Sequence, residues 1–138
     1  MLEALRKCTD AIEECYEFML AYAAQGLPGD AGSASGGQLR EFLRHAVEAL
    51  ASLPKAYAAA VHGLQPVERY EAFHAVLARD AGDSLAVMEL VLAQPALSSQ
   101  LIDNLNASMH LRAVLTDLFL IDEILKGARI EVSSVDPT

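Results

Sequence analysis

Residues 66–93 read PVERYEAFHAVLARDAGDSLAVMELVLA, and residues 98–126 read SSQLIDNLNASMHLRAVLTDLFLIDEILK. In both, apolar residues return every three or four positions, the period of an amphipathic helix. Pro66 stands where a first helical turn tolerates proline. Gln94 and Pro95 close the first segment. Ser98 or Ser99 offers an N-cap to the second, and Gly127 stops it. Each segment would be a helix of about 28 residues, roughly 42 Å long. A folded chain of 138 residues has a radius of gyration of only about 14 Å, so each helix crosses the whole domain. The pair predicts a long C-terminal helical hairpin.

Outward from the hairpin, residues 2–25 form a first helix with the seam Leu5, Cys8, Ile12, Cys15, Met19 and Tyr22, spaced alternately three and four apart. Glu3, Asp10, Glu13, Glu14 and Glu17 fall on its other side. Gly26 is placed to cap it. Residues 27–37, LPGDAGSASGG, have the composition of a flexible linker. A second helix, residues 38–52, buries Leu39, Phe42, Leu43, Ala46 and Leu50. Pro54 is expected to break it, leaving a short helix over 55–62 that ends at Gly63. The predicted fold is all-α: an antiparallel bundle of four to five helices in one domain, residues 1–127, with a tail over 128–138. Composition agrees. The chain is 53% hydrophobic, much of it Ala and Leu, with 6% aromatics and no Trp, a balance that favours helix over strand.

The formal charge of −9 sets this chain against polyanions, which bind through clustered Lys and Arg. Nucleic acid and anionic membrane surfaces are therefore not expected partners. The most apolar run, residues 111–125, carries Arg112, Asp117, Asp122 and Glu123, too many charges for a spanning helix. The start, MLEALRK, leads into acids and not into a signal-peptide core, so the expected location is cytoplasmic. Cys8 and Cys15 share a helix face but stand about 10 Å apart along its axis, too far for a disulfide, and read as buried thiols.

The sharpest chemical constellation is Glu71-x-x-His74. Residues three apart share a helix face, and Glu-x-x-His is the spacing by which ferritin-like carboxylate bundles hold paired metals. Such a site needs a second motif and inward-facing acids. His45 and Glu48, the nearest match, project away from Phe42 and Leu50. Asp103, Asn106, His110 and Asp117 follow one polar flank. Arg40 and His45 point roughly 140° apart on their helix. The Gly-rich stretch lacks the Gly-Lys-Ser/Thr ending of a phosphate loop. No catalytic set and no cofactor is expected. Glu71 and His74 remain an alternative metal reading. Tyr16, Tyr22, Tyr57, Tyr70 and Met88 are candidates to line a pocket, though their spacing is that of ordinary core.

The apolar surface is in excess of what one core needs. On 98–126, Leu111, Val114, Leu118, Ile121 and Leu125 make one stripe, while Ile102, Met109, Leu120 and Ile124 lie on another side. Val76, Val87 and Leu90 lie off the core stripe of 66–93. A helix apolar around much of its circumference is buried on several sides. The expected function is thus non-enzymatic: a protein-interaction module, an adaptor, regulator or assembly factor, acting as a homodimer or with another protein. Its expected interface is Val76, Val87, Leu90, Met109, Val114, Leu118, Leu120, Ile121 and Ile124.

Overall fold

Leu5, Cys8, Ile12, Cys15, Met19 and Tyr22 are all buried along α1 (Leu2–Ala23), as their spacing requires. The coordinates are a computed structural model that describes the backbone of residues 2–135 and the side chains of residues 2–128. Four further helices follow: α2 (Ala34–Ala60), α3 (Val67–Leu92), α4 (Ser99–Ala107) and α5 (Met109–Val135). Among the described residues there is no strand. The chain is an all-α bundle. No helix among them is long and apolar enough to cross a membrane.

Several boundaries differ from the sequence reading. The expected break at Pro54 is absent, and α2 runs through it to Ala60. Proline removes one backbone donor, but Leu50, Leu53, Ala56 and Tyr57 continue a single buried stripe across it. Packing on both sides of Pro54 holds the helix through the defect. The second arm of the hairpin, by contrast, is two helices. Ser108 has extended backbone, φ −65° and ψ 144°, and separates α4 from α5. Asn104, Asn106 and Ser108 flank the break, and such residues favour caps and turns over helix interiors. At its far end α5 continues through Val135, into the stretch assigned to the tail. Residues 136–138 of that tail lie outside the described residues.

The ends of the helices show how they run. Tyr22 at the end of α1, Arg40 near the start of α2 and Leu92 at the end of α3 are all tied to one cluster of loops. Arg112 near the start of α5 lies beside Leu20 of α1, and Lys126 lies beside Leu2. So α1, α2, α3 and α5 alternate in direction around one core. The seams α1/α2, α2/α3 and α3/α5 are well packed. The fourth, α1/α5, is thin, because α4 fills its upper end against α1.

The Gly/Ser-rich stretch is shorter than its composition suggests, and it is tied down. α2 begins at Ala34, with Ser33 Oγ accepting from Gly36 N at 3.0 Å as an N-cap. Asp30 forms an ion pair with Arg40 and accepts from Leu97 N at 2.8 Å. Arg40 also donates to the carbonyls of Leu92, Gln94 and Pro95, the kind of unsatisfied acceptors that end a helix. Ser99 N donates to Leu27 O, while Ser99 Oγ takes Leu27 N and donates to Tyr22 O at 2.7 Å. Tyr22 OH donates to Leu97 O at 2.6 Å. Ser98, not Ser99, caps α4. Loops 24–33 and 93–98 are thereby joined into one hydrogen-bonded knot. Gly36 is obligatory there, since a Cβ on it would sit 1.9 Å from Asp30 O.

Candidate functional site

The nine residues expected at an interface divide into two groups. Val114, Leu118 and Ile121 lie in the core of a single chain; Leu118 is 1% exposed. They serve the bundle itself and leave no side for a partner. Val87 is half-buried against the same core. The other five face solvent. Leu90 is 66% exposed, Met109 80% and Leu120 52%, with Val76 and Ile124 only slightly less open. At about 100° per residue, Val76, Val87 and Leu90 fall on the flank of α3 turned toward α5. Leu120 and Ile124 fall on the outer and α3-ward side of α5. They line the two sides of the α3/α5 seam, with Asp80 and Asp83 of α3 and Asp117 of α5 on the same flanks between them.

Two carboxyl groups meet in the middle of that seam. Asp80 of α3 and Asp117 of α5 come within hydrogen-bonding reach. Asp117 Oδ2 is shielded from water and has no partner of its own. Burial, and then the hydrogen bond and negative charge of Asp80, push the Asp117 carboxyl up to about 7. Both causes favour the protonated form of Asp117, since a buried carboxyl beside another acid resists ionisation. One turn along α3 from Asp80, Ser84 is buried and its hydroxyl also lacks a partner.

Glu71 and His74 do not gather further ligands. Glu71 is exposed and His74 half-buried, with the His74 ring 6.0 Å from that of Tyr57. Both border a cavity of about 200 Å³ between α2 and α3, walled by Tyr57, Val61, Leu64 and Tyr70. Tyr57 OH donates to Tyr70 O at 2.8 Å, and burial pushes the phenol up to about 12. Among the described residues no group of three or more His, Cys, Asp or Glu comes together around a point where a metal ion could sit. His45 and Glu48 are exposed on α2. The five aromatic and Met pocket candidates do not converge. Tyr22 and Met88 are core, Tyr57 and Tyr70 border the small cavity, and Tyr16 lies on α1 toward α5.

A second surface is absent from the sequence reading. Along the thin α1/α5 seam runs a groove made of two contiguous hollows, of about 310 and 440 Å³, which share Glu13 and Phe119. Leu20 and Phe119 stand on its walls, each at least half exposed. Glu13 lies between them with no ion pair and no hydrogen bond among the described residues. Burial, and then the charges of Asp10, Glu17 and Asp122, push its carboxyl above the usual range. The signal was present on α1: Leu2, Thr9, Tyr16 and Leu20 share a flank about 100° from the seam residues, an unusual place for Leu and Tyr on a purely solvated face.

Cys8 and Cys15 are free and buried, and burial pushes the Cys15 thiol up to about 12, which leaves almost no thiolate for chemistry. Comparison with protein families, with curated proteins and with solved structures finds no match to this chain.

Proposed function

We propose that this chain is a non-enzymatic protein-interaction module, an adaptor or assembly factor, that acts as a homodimer through the outer faces of α3 and α5. One observation carries the reading: Val76, Leu90, Met109, Leu120 and Ile124 present large apolar side chains to solvent from two neighbouring helices. Monomeric proteins rarely leave large apolar patches uncovered. Fully burying such a side chain is worth about 1.5–3 kcal/mol, so covering five of them gives a second copy a substantial driving force. A two-fold pairing would set each face against its own symmetry mate. It would also exclude water from Asp117 and favour its protonated form. The same reading places the protein in the cytoplasm.

Sedimentation across a range of concentrations tests this. The wild-type chain should pass from monomer to dimer as concentration rises. Leu90→Glu with Leu120→Glu should remain monomeric with unchanged helical content, because both positions are open in the single chain. A wild-type chain that stays monomeric at every concentration overturns the reading.

A further inference from the structure

We propose that α5 is an exchangeable element: two copies of this chain that fold together swap their α5 helices through a hinge at Ser108, and α4 and α5 of each copy join into one straight helix. This mode of association is separate from the side-by-side pairing above and does not rest on it. Ser108 is the single residue between α4 and α5. Its φ of −65° is already helical, and only its ψ of 144° departs from helix, where ψ is about −42°. Rotation about one bond, by roughly half a turn, merges the two helices into a rod of about 55 Å. The bend lets one core hold both helices. α4 buries Ser99, Ile102, Leu105 and Asn106, and α5 buries Leu111, Val114, Leu118, Ile121 and Leu125. On a continuous helix the two sets point about 150° apart. A straight rod cannot press both faces into one body, but it can press each into a different one.

The second body is another copy of this chain. α4 is tied to its own α1 and to the loop knot through Ser99, which bonds Leu27 N and Tyr22 O. α5 is held by one well-packed seam, against α3, while its seam with α1 is thin. So α5 is the part that leaves, and the equivalent site in a second copy restores every contact it gives up, which makes such exchange a low-cost route to a dimer. The bend also leaves polar groups unserved. Ser108 stands where an N-cap of α5 belongs, but its Oγ is buried without a partner, and the Asn106 side-chain oxygen beside it is buried and unpartnered too. The first N–H groups of α5 and the last carbonyls of α4 have no partners within their own helices. In the merged rod they pair with one another, and the Ser108 hydroxyl reaches the carbonyl one turn back. A hinge of one residue between two helices invites exchange when chains fold together.

The test refolds the full chain from denaturant at millimolar and at micromolar concentration, then dilutes it and separates the products by size-exclusion chromatography. An exchanged dimer persists for hours after dilution, because release requires α5 to leave a core and unfolding is slow. Side-by-side pairs re-equilibrate at once. Millimolar refolding should give a persistent dimer and micromolar refolding none. Met109→Pro should lower its yield at least tenfold. Proline fits a first helical turn and keeps the preceding Ser108 extended, and Met109 is 80% exposed, so the single chain keeps its packing. Two glycines inserted between Ser108 and Met109 should act the same way, by interrupting the rod. Leu90→Glu with Leu120→Glu, which blocks the side-by-side pairing, should leave the yield unchanged. In a persistent dimer refolded from labelled and unlabelled chains together, isotope-filtered NMR should show Leu118 of one chain in contact with α3 methyl groups of the other. The absence of a persistent dimer overturns the proposal. So does one that both hinge variants form as readily as wild type, one lost in Leu90→Glu with Leu120→Glu, or one whose Leu118 contacts all lie within a single chain.

Discussion

Asp80 and Asp117 face each other across the α3/α5 seam with a single cause for their closeness: the antiparallel packing of two helices whose apolar flanks continue above and below them. Neither forms an ion pair among the described residues. The seam that carries the proposed interface is therefore sensitive to protons near neutrality.

The sign follows from Asp117. Its folded-state pKa lies at about 7, above the ordinary carboxylate value near 3.9. The folded chain holds the proton more tightly, and that advantage is complete at low pH and lost as pH rises through 7. Stability measured by urea unfolding should thus be greater at pH 5.5 than at pH 8. Asp117→Asn should flatten this difference and raise stability at pH 8 by about 1 kcal/mol, solvent at this part-open site screening the larger value that complete burial would give. An unaltered pH profile in Asp117→Asn would count against a raised pKa at Asp117.

Arg40 bears on the opposite end of the pH scale. The Arg40 guanidinium, by hydrogen bond, holds the Asp30 carboxyl below the usual range. The contribution of this pair is complete above the ordinary carboxylate pKa and is lost as acid titrates Asp30. Arg40→Ala strips the carbonyls of Leu92 and Gln94 and leaves Asp30 without its cation, and should cost about 2–3 kcal/mol. Arg40→Lys should recover little of it, since an ammonium lacks the planar fork that reaches several acceptors. Chemical denaturation at pH 7 checks both variants.

Glycine supplies a contrast of opposite sign. Gly36→Ala drives a methyl group into the Asp30 backbone and should cost 3 kcal/mol or more, beyond about 1–3 for ordinary overpacking. Gly82 sits inside α3 with open space where a Cβ would go. Gly82→Ala should stabilise the chain by about 0.5–1 kcal/mol through helix propensity. Thermal unfolding of the two variants should move in opposite directions.

Cys15 should resist thiol reagents in the folded chain. Its thiol is buried and held protonated, so labelling at pH 8 should proceed only as fast as the chain opens. Rapid labelling of Cys15 without denaturant would contradict the packing of α1 against α2.

The helices of this bundle were legible because their apolar residues repeat at helical period, and the seam of α1 is correct at every position. What escaped was tertiary compensation. Pro54 reads as a break because its missing donor is visible in sequence, while the burial of Leu53 and Tyr57 that holds α2 together is not. The stretch around Ser108 reads as helix because Leu105, Leu111 and Val114 keep the period across it. Only the run of Asn104, Asn106 and Ser108 hints at the turn. Composition also misled at 27–37. Gly and Ser are the residues of a flexible linker, but Asp30, Ser33 and Arg40 convert that stretch into a tied loop, and a contact such as Arg40 with Gln94 spans too much sequence to be read from spacing. On the surface, the apolar excess of α3 and α5 was visible, while the division between Leu118 inside and Leu120 outside follows from where α3 lies. The groove was missed because the flank of Leu2, Tyr16 and Leu20 on α1 gives only one wall, and which residues of α5 supply the other follows from the packing.

The most direct test of the central claim, pairing through the outer faces of α3 and α5, is an isotope-filtered NMR experiment on a mixture of labelled and unlabelled chains. Intermolecular contacts are expected at the methyl groups of Val76, Leu90, Leu120 and Ile124, and none at Leu118. A dimer whose intermolecular contacts fall elsewhere, or a sample with none at millimolar concentration, would contradict the account.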